Sequence, residues 1–156
     1  MSERGRVGTV ARALGFAGLL PAAGAACWIG LASDEAIGTF VAQFYPLIIL
    51  SFLGGMWWGF AMRRSERQGA LAIIAVLPSL AAFALFLLAV ASLIDTYRLT
   101  PWVLIATGVS LLFTLLVDRH LVRTGEAPEG WMALRIPLSI GLGGLTIVSG
   151  VLLGLR

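Results

Sequence analysis

The ionisable side chains that could do chemistry are few and gathered. Asp118, Arg119, Arg123, Glu126, Glu129 and Arg135 fall in one stretch, and Arg63, Arg64 and Glu66 in another. Asp118, Arg119, Arg123 and Arg135 form a polar cluster open to two readings. It is a collar that grips lipid head groups and sets topology, or the charged mouth of a cavity floored by Trp58 and Tyr45. Tyr45 lies deeper in its segment, where its hydroxyl needs a partner. A third reading, acid–base chemistry on lipids, would need Asp118 or Glu126 in a cleft with a displaced pKa.

Nucleophilic and metal chemistry find little support. Ser51 stands in Leu50-Ser51-Phe52-Leu53-Gly54, which lacks a G-x-S-x-G elbow and has no histidine at its depth to act as base. The default for its hydroxyl is a bond to a helical carbonyl or a neighbouring helix. His120 and Cys27 are each the only residue of their type. They cannot assemble paired imidazoles for haem or a structural zinc site, and no intramolecular disulfide can form. No phosphate-binding glycine loop occurs in a strand–helix context. The expectation is a non-enzymatic chain with no catalytic residue, no metal and no cofactor.

The elements that carry these residues follow from the distribution of charge. Of 156 residues, 59% are hydrophobic and 12% charged, against about a quarter charged in a soluble domain. Charge-free intervals cover 13–33, 36–62, 68–94, 99–117 and 136–155, each 19 to 27 residues long. A helix needs about 20 apolar residues to cross a bilayer core. Barrel strands need only about 10 and alternate in polarity, a pattern absent here. Backbone groups in hydrocarbon must bond within their own segment. The fold class is therefore all-α, an integral membrane bundle of five transmembrane helices forming one domain over 1–156. The helices run over about 13–33, 36–62, 68–94, 99–123 and 133–155.

All 11 strongly basic residues are Arg. Arg4, Arg6, Arg12, Arg63, Arg64, Arg67, Arg119, Arg123 and Arg135 share one side of the membrane. Arg98 and Arg156 lie on the other, beside Asp34, Glu35 and Asp95. The positive-inside rule makes the N-terminus cytoplasmic and the C-terminus external. The expected location is the bacterial inner membrane, with membrane lipids as partners and no nucleic acid. The arginine-led apolar start resembles a signal peptide. The lipoprotein pattern before Cys27 lacks its hydrophobic residue, so an uncleaved first span is expected.

Finer features place the candidate binding surfaces. Pro21 kinks the first span, and Ser33 or Asp34 caps the second. Ser51, Gly55 and Gly59 recur every fourth residue, a seam for close helix approach. Beside the seam, Trp57 and Trp58 suit an interfacial belt, while Trp58 could instead face the interior. Pro78-Ser79 marks a second break, in the third span. Thr100 caps the fourth span with Pro101 at its first position, and Gly125 stops it. Trp131 then sits at head-group depth, and Gly150 with Gly154 offers another packing spot.

Several of these blocks are similar to the transmembrane protein 69 family, a bacterial and mitochondrial family of unknown function. They are residues 14–21 (LGFAGLLP), Leu50 to Gly55 with Trp58-Gly59, Leu77-Pro78-Ser79, Asp118-Arg119 and residues 134–138 (LRIPL). Pro46 stands where that pattern has glycine. The resemblance implies a multi-pass inner-membrane protein and no reaction. It points to Ser51, Gly54, Gly55, Trp58, Gly59, Pro78, Asp118, Arg119 and Arg135 as residues of a shared function. The expected function is a module binding a lipid, a hydrophobic small molecule or a partner helix through Tyr45, Ser51, Gly54, Gly55, Trp58, Gly59 and Pro78. Self-association would follow from the glycine seams. The alternative is a small transporter or channel acting as an oligomer.

Overall fold

Every long apolar stretch folds as helix because no other conformation satisfies its backbone without water. The computed structural model describes residues 6–94 and 98–155. Its helices are α1 (Thr9–Ala17), α2 (Leu20–Leu31), α3 (Ala36–Met62), α4 (Gln68–Ile94), α5 (Thr100–Arg123) and α6 (Trp131–Gly154). Taken together, α1 and α2 make one span, Thr9–Leu31, so five spans among the described residues are long and apolar enough to cross a membrane. Asp95, Arg4 and Arg156, which the charge count places by side, lie outside the described residues.

The first span is two helices rather than one. Pro21 cannot donate to the carbonyl four residues back, and the chain gives way just before it. Gly18 N bonds to both Leu14 O and Gly15 O, and Leu19 N bonds to Phe16 O, tightening the end of α1 into a 3₁₀ turn. Pro78 behaves differently from expectation: α4 runs unbroken through it from Gln68 to Ile94. Pro46 and Pro137 likewise ride inside α3 and α6. Neighbouring helices tolerate such prolines where they re-satisfy the freed groups. Thr100 is already helical, with Leu99 as N-cap, and its hydroxyl bonds to Ser92 of α4 at 2.7 Å instead of capping.

The loops at the arginine-rich end are well specified. At the end of α5, Gly125 takes a left-handed φ of 73°. Gly125 N reaches Val122 O and Glu126 N reaches Leu121 O, the two bonds of a Schellman stop. Gly130, with φ 78°, turns the chain into α6.

α3 is the hub, touching α2, α4, α5 and α6, while α5 and α6 share the most extensive interface. Small residues make that closeness possible. A Cβ on Gly108 of α5 would lie 2.6 Å from Gly143 O of α6, and one on Gly150 would lie 2.7 Å from Pro101 O. The interior is built mainly of alanine and leucine with glycine, threonine and serine, whereas Ile48, Phe52, Ile73, Phe83, Phe113 and Leu116 face outward. Large apolar side chains on the outside are what a hydrocarbon surround allows.

Candidate functional site

Two helical pairs spaced four residues apart, Thr114/Asp118 on α5 and Trp131/Arg135 on α6, meet one side chain of α3, Trp57. An i,i+4 spacing puts both members of a pair on one face, and the α5–α6 contact turns the two faces together. Asp118 is 0% exposed and Arg135 6%. Arg135 Nε donates to Asp118 Oδ2 at 2.7 Å, and Arg135 Nη2 donates to Thr114 Oγ1 at 3.2 Å. The other carboxylate oxygen accepts from Trp57 Nε1 at 3.1 Å and Trp131 Nε1 at 3.2 Å. The Thr114 hydroxyl donates its own proton to Leu111 O at 2.6 Å.

This arrangement makes a buried charge tolerable. The carboxylate faces one guanidinium and two indole N–H groups, so its charge is matched and its lone pairs are occupied. The cluster ties α3, α5 and α6 together near the arginine-rich end.

Just outside it, Arg64 of the α3–α4 loop grips Glu126 of the α5–α6 loop through two bonds, Nε to Oε2 at 2.6 Å and Nη2 to Oε1 at 2.5 Å. Thr124 Oγ1 donates to the same carboxylate at 2.6 Å. The hydrogen bond from Arg64 is the main cause that holds the Glu126 carboxyl below the usual carboxylate range, aided by Thr124 and by the charges of Arg64 and His120. Trp131 packs edge-on against Phe60, with ring centroids 5.9 Å apart.

An apolar groove of about 430 Å³ runs from this cluster along the bundle, between α1–α2 on one side and α3 and α6 on the other. Trp131 and Arg135 line it, as do Leu134, Leu138, Ile49, Leu53 and Gly18. The Tyr45 hydroxyl, also in its lining, donates to Gly18 O. That carbonyl lies at the break between α1 and α2, so Tyr45 supplies a partner that the helix itself does not. α1 touches the rest of the bundle only lightly, through α6.

The predicted site residues therefore separate. Asp118 and Arg135 come together, whereas Arg119 and Arg123 are exposed on α5 and take no part in the cluster. Trp58 is 45% exposed and points away from the interior. The indole that turns inward is Trp57, its neighbour, because Trp57 shares a helix face with the buried Leu50, Leu53, Gly54 and Ala61. Tyr45 lines the groove, but Trp58 does not floor it. Within the seam, a Cβ on Gly55 or Gly59 would meet nothing within 4 Å. Gly54 is the glycine that admits another backbone: a Cβ on it would lie 2.5 Å from Ala75 O of α4 and 3.4 Å from Pro78 Cβ. Ser51 Oγ pairs with Ser79 Oγ at 3.1 Å. Trp57, expected in an interfacial belt, Trp131, expected at head-group depth, and Thr114 are cluster residues that the sequence does not assign to it. The i,i+4 pairs Thr114/Asp118 and Trp131/Arg135 are the signal that could find two of them.

A family model described as "Protein of unknown function (DUF3429)" matches residues 7–151. The chain belongs to the DUF3429 family. No curated protein and no solved structure matches it. The matched stretch contains the whole Asp118–Arg135 cluster and every residue lining the groove.

Proposed function

We propose that this DUF3429 member is a non-enzymatic module of the bacterial inner membrane that holds one hydrophobic molecule, an acyl chain of a membrane lipid, in the groove beside Tyr45 and Arg135. The observation that carries this reading is the groove itself. It is apolar along its length, carries charge at one end only, and is walled by a span that is broken at Gly18 and lightly packed. An acyl chain matches such a surface, since each buried methylene contributes about 0.8 kcal/mol. The transmembrane protein 69 resemblance names no ligand, and the positive-inside rule would put the charged end at the cytoplasm. Holding is favoured over conduction by a single chain because Leu50, Leu104 and Leu111 close the middle of the bundle at 0–1% exposure.

The test is to fill the groove. Leu138 is half-buried in its wall, and Leu138→Trp should displace the occupant. Native mass spectrometry of protein released gently from nanodiscs should show a bound lipid on the natural chain and lose it in the variant. Equal lipid retention by both would reject the reading.

A second reading, self-association, is favoured by the exposure of Gly55 and Gly59, which nothing among the described residues covers. A partner helix could approach there as closely as α4 approaches Gly54.

A further inference from the structure

One wall of the apolar groove is built unlike the others. The first span is anchored in one half only: α2 buries Ala22, Ala25, Ala26 and Ile29 and packs on α3 and α6, whereas α1 buries no residue. Yet α1 supplies Ala11, Leu14 and Gly15 to the lining. Between the two halves, Gly18 and Leu19 lie in a turn, and Pro21 has no N–H to give to Ala17 O across it. A rigid helix therefore ends at a joint, and the groove lies on one side of it.

The polar contacts that hold α1 sit at its ends. Ahead of it, Val7 N donates to Glu129 O at 3.3 Å, and Arg6 Nε lies 3.9 Å from Glu129 Oε2. Both side chains of that ion pair are largely exposed, so it grips weakly. Behind α1, the Tyr45 hydroxyl donates to Gly18 O at the joint itself. Between these points Gly15 rests on α6, where a Cβ would lie 3.0 Å from Leu138 Cδ1 and 3.3 Å from Leu134 Cδ1. That middle contact is apolar on apolar. In hydrocarbon it can be exchanged for lipid at little cost, because an acyl chain is as apolar as leucine. Sideways entry also suits an acyl chain already lying in the leaflet. Endwise entry would draw it through the head-group layer, at a cost for every methylene wetted.

We propose that α1 is a lid, hinged at Gly18–Leu19 and latched by Tyr45, that swings off α6 to admit and release the lipid chain sideways. The inference rests on the reading that the groove holds such a chain, and it assigns Tyr45 to the closing of the groove rather than to its affinity.

The free end of the lid can be stapled without touching the groove. Arg6 and Glu129 face each other across an isolated backbone bridge, where Cα atoms lie about 5 Å apart, within reach of a disulfide. Neither residue lines the groove. In a Cys27→Ala chain, Arg6→Cys with Glu129→Cys gives a lid that oxidation fastens and reduction frees. Protein carrying a chain-deuterated phosphatidylglycerol is mixed with micelles holding an excess of the unlabelled lipid, and native mass spectrometry follows the mass of the bound lipid with time. Oxidation should bring the swap close to a stop, and reductant should restore it. Tyr45→Phe, which removes one hydrogen bond from the closed state, should swap about fivefold faster. Stapling that variant should return it to the rate of the stapled Tyr45 chain, which loss of a direct contact to the lipid would not do. Bound lipid that swaps equally fast with the lid stapled, or no faster in Tyr45→Phe, would overturn the lid and leave the lipid reading standing. No bound lipid on any form would overturn both.

Discussion

Replacing Asp118 with Asn keeps the shape of the side chain and inverts its logic. The amide oxygen can still accept from both indoles, but its NH₂ must then face the Arg135 guanidinium, donor against donor. Arg135, 6% exposed, would lose its counter-ion and keep only the Thr114 hydroxyl at 3.2 Å. Breaking a buried pair from one side costs about 3–5 kcal/mol. We therefore expect Asp118→Asn to destabilise the bundle by about 4 kcal/mol, and Arg135→Gln by a comparable amount for the mirror reason. The double variant carries two neutral amides that can bond to each other. It should be destabilised by less than either single change, with a coupling of at least about 2 kcal/mol. Reversible unfolding in mixed micelles, followed by tryptophan fluorescence, measures all three; Trp57 and Trp131 sit at the cluster and report on it directly. A loss below about 1 kcal/mol for Asp118→Asn, or a double variant equal to the sum of the singles, would refute the claim that this pair holds α3, α5 and α6 together.

The clamp between Arg64 and Glu126 should respond to acid. The Glu126 carboxyl is held below its ordinary range, so the clamp's stabilisation is complete above the unfolded carboxyl pKa of about 4.3 and is lost as pH falls through the lower folded value. Glu126→Gln should be about 1 kcal/mol less stable than the natural chain at pH 7 and equal to it near pH 3; a gap that persists at pH 3 contradicts this. The glycines should divide in two. Gly108→Ala forces a Cβ to 2.6 Å from Gly143 O and should destabilise by about 1–3 kcal/mol through separation of α5 from α6. Gly55→Leu, with nothing within 4 Å, should leave folding unchanged and alter only self-association, read by cross-linking in bilayers. A folding defect in Gly55→Leu would show that the seam is buried within one chain.

The five spans were legible because charge in this sequence is confined to their ends, and hydrocarbon length alone then sets helix length. What was not legible is which face of each helix looks inward. In a soluble helix the apolar stripe gives that answer, but α3 and α4 are apolar all round. Trp57 and Trp58 are adjacent and differ by about 100° around the axis, so a helix with no polar side leaves the choice between them open. The informative residues were the small and polar ones. Leu50, Leu53, Gly54, Trp57 and Ala61 form the buried face, and Gly54, not the more regular Gly55 and Gly59, marks the contact with α4. Pro78 misled in the same way. A proline predicts a lost hydrogen bond, but whether the helix breaks depends on the neighbours, and α3 packs tightly enough against α4 at Gly54 to keep it continuous.

The polar groups also constrain how the apolar groove could hold the proposed lipid. Arg135 lines it, and a cation at the end of an apolar groove invites assignment to a lipid phosphate. Yet Arg135 is already held by Asp118 and Thr114, and drawing it onto a head group would expose the Asp118 carboxylate to two indoles alone. The cost of that exchange is of the same order as the loss expected for Arg135→Gln, which few single head-group contacts would offset. Another cation is better placed: Arg12 of α1 is exposed, with Nη2 beside Gly130, and Ala11 next to it lines the groove. A phosphate held there would draw α1 toward the bundle without disturbing the ion pair. The division of labour then follows from burial. Arg135, sealed and paired, sets the position of the helices, whereas Arg12, on the loosely attached α1, is free to answer to what the groove contains.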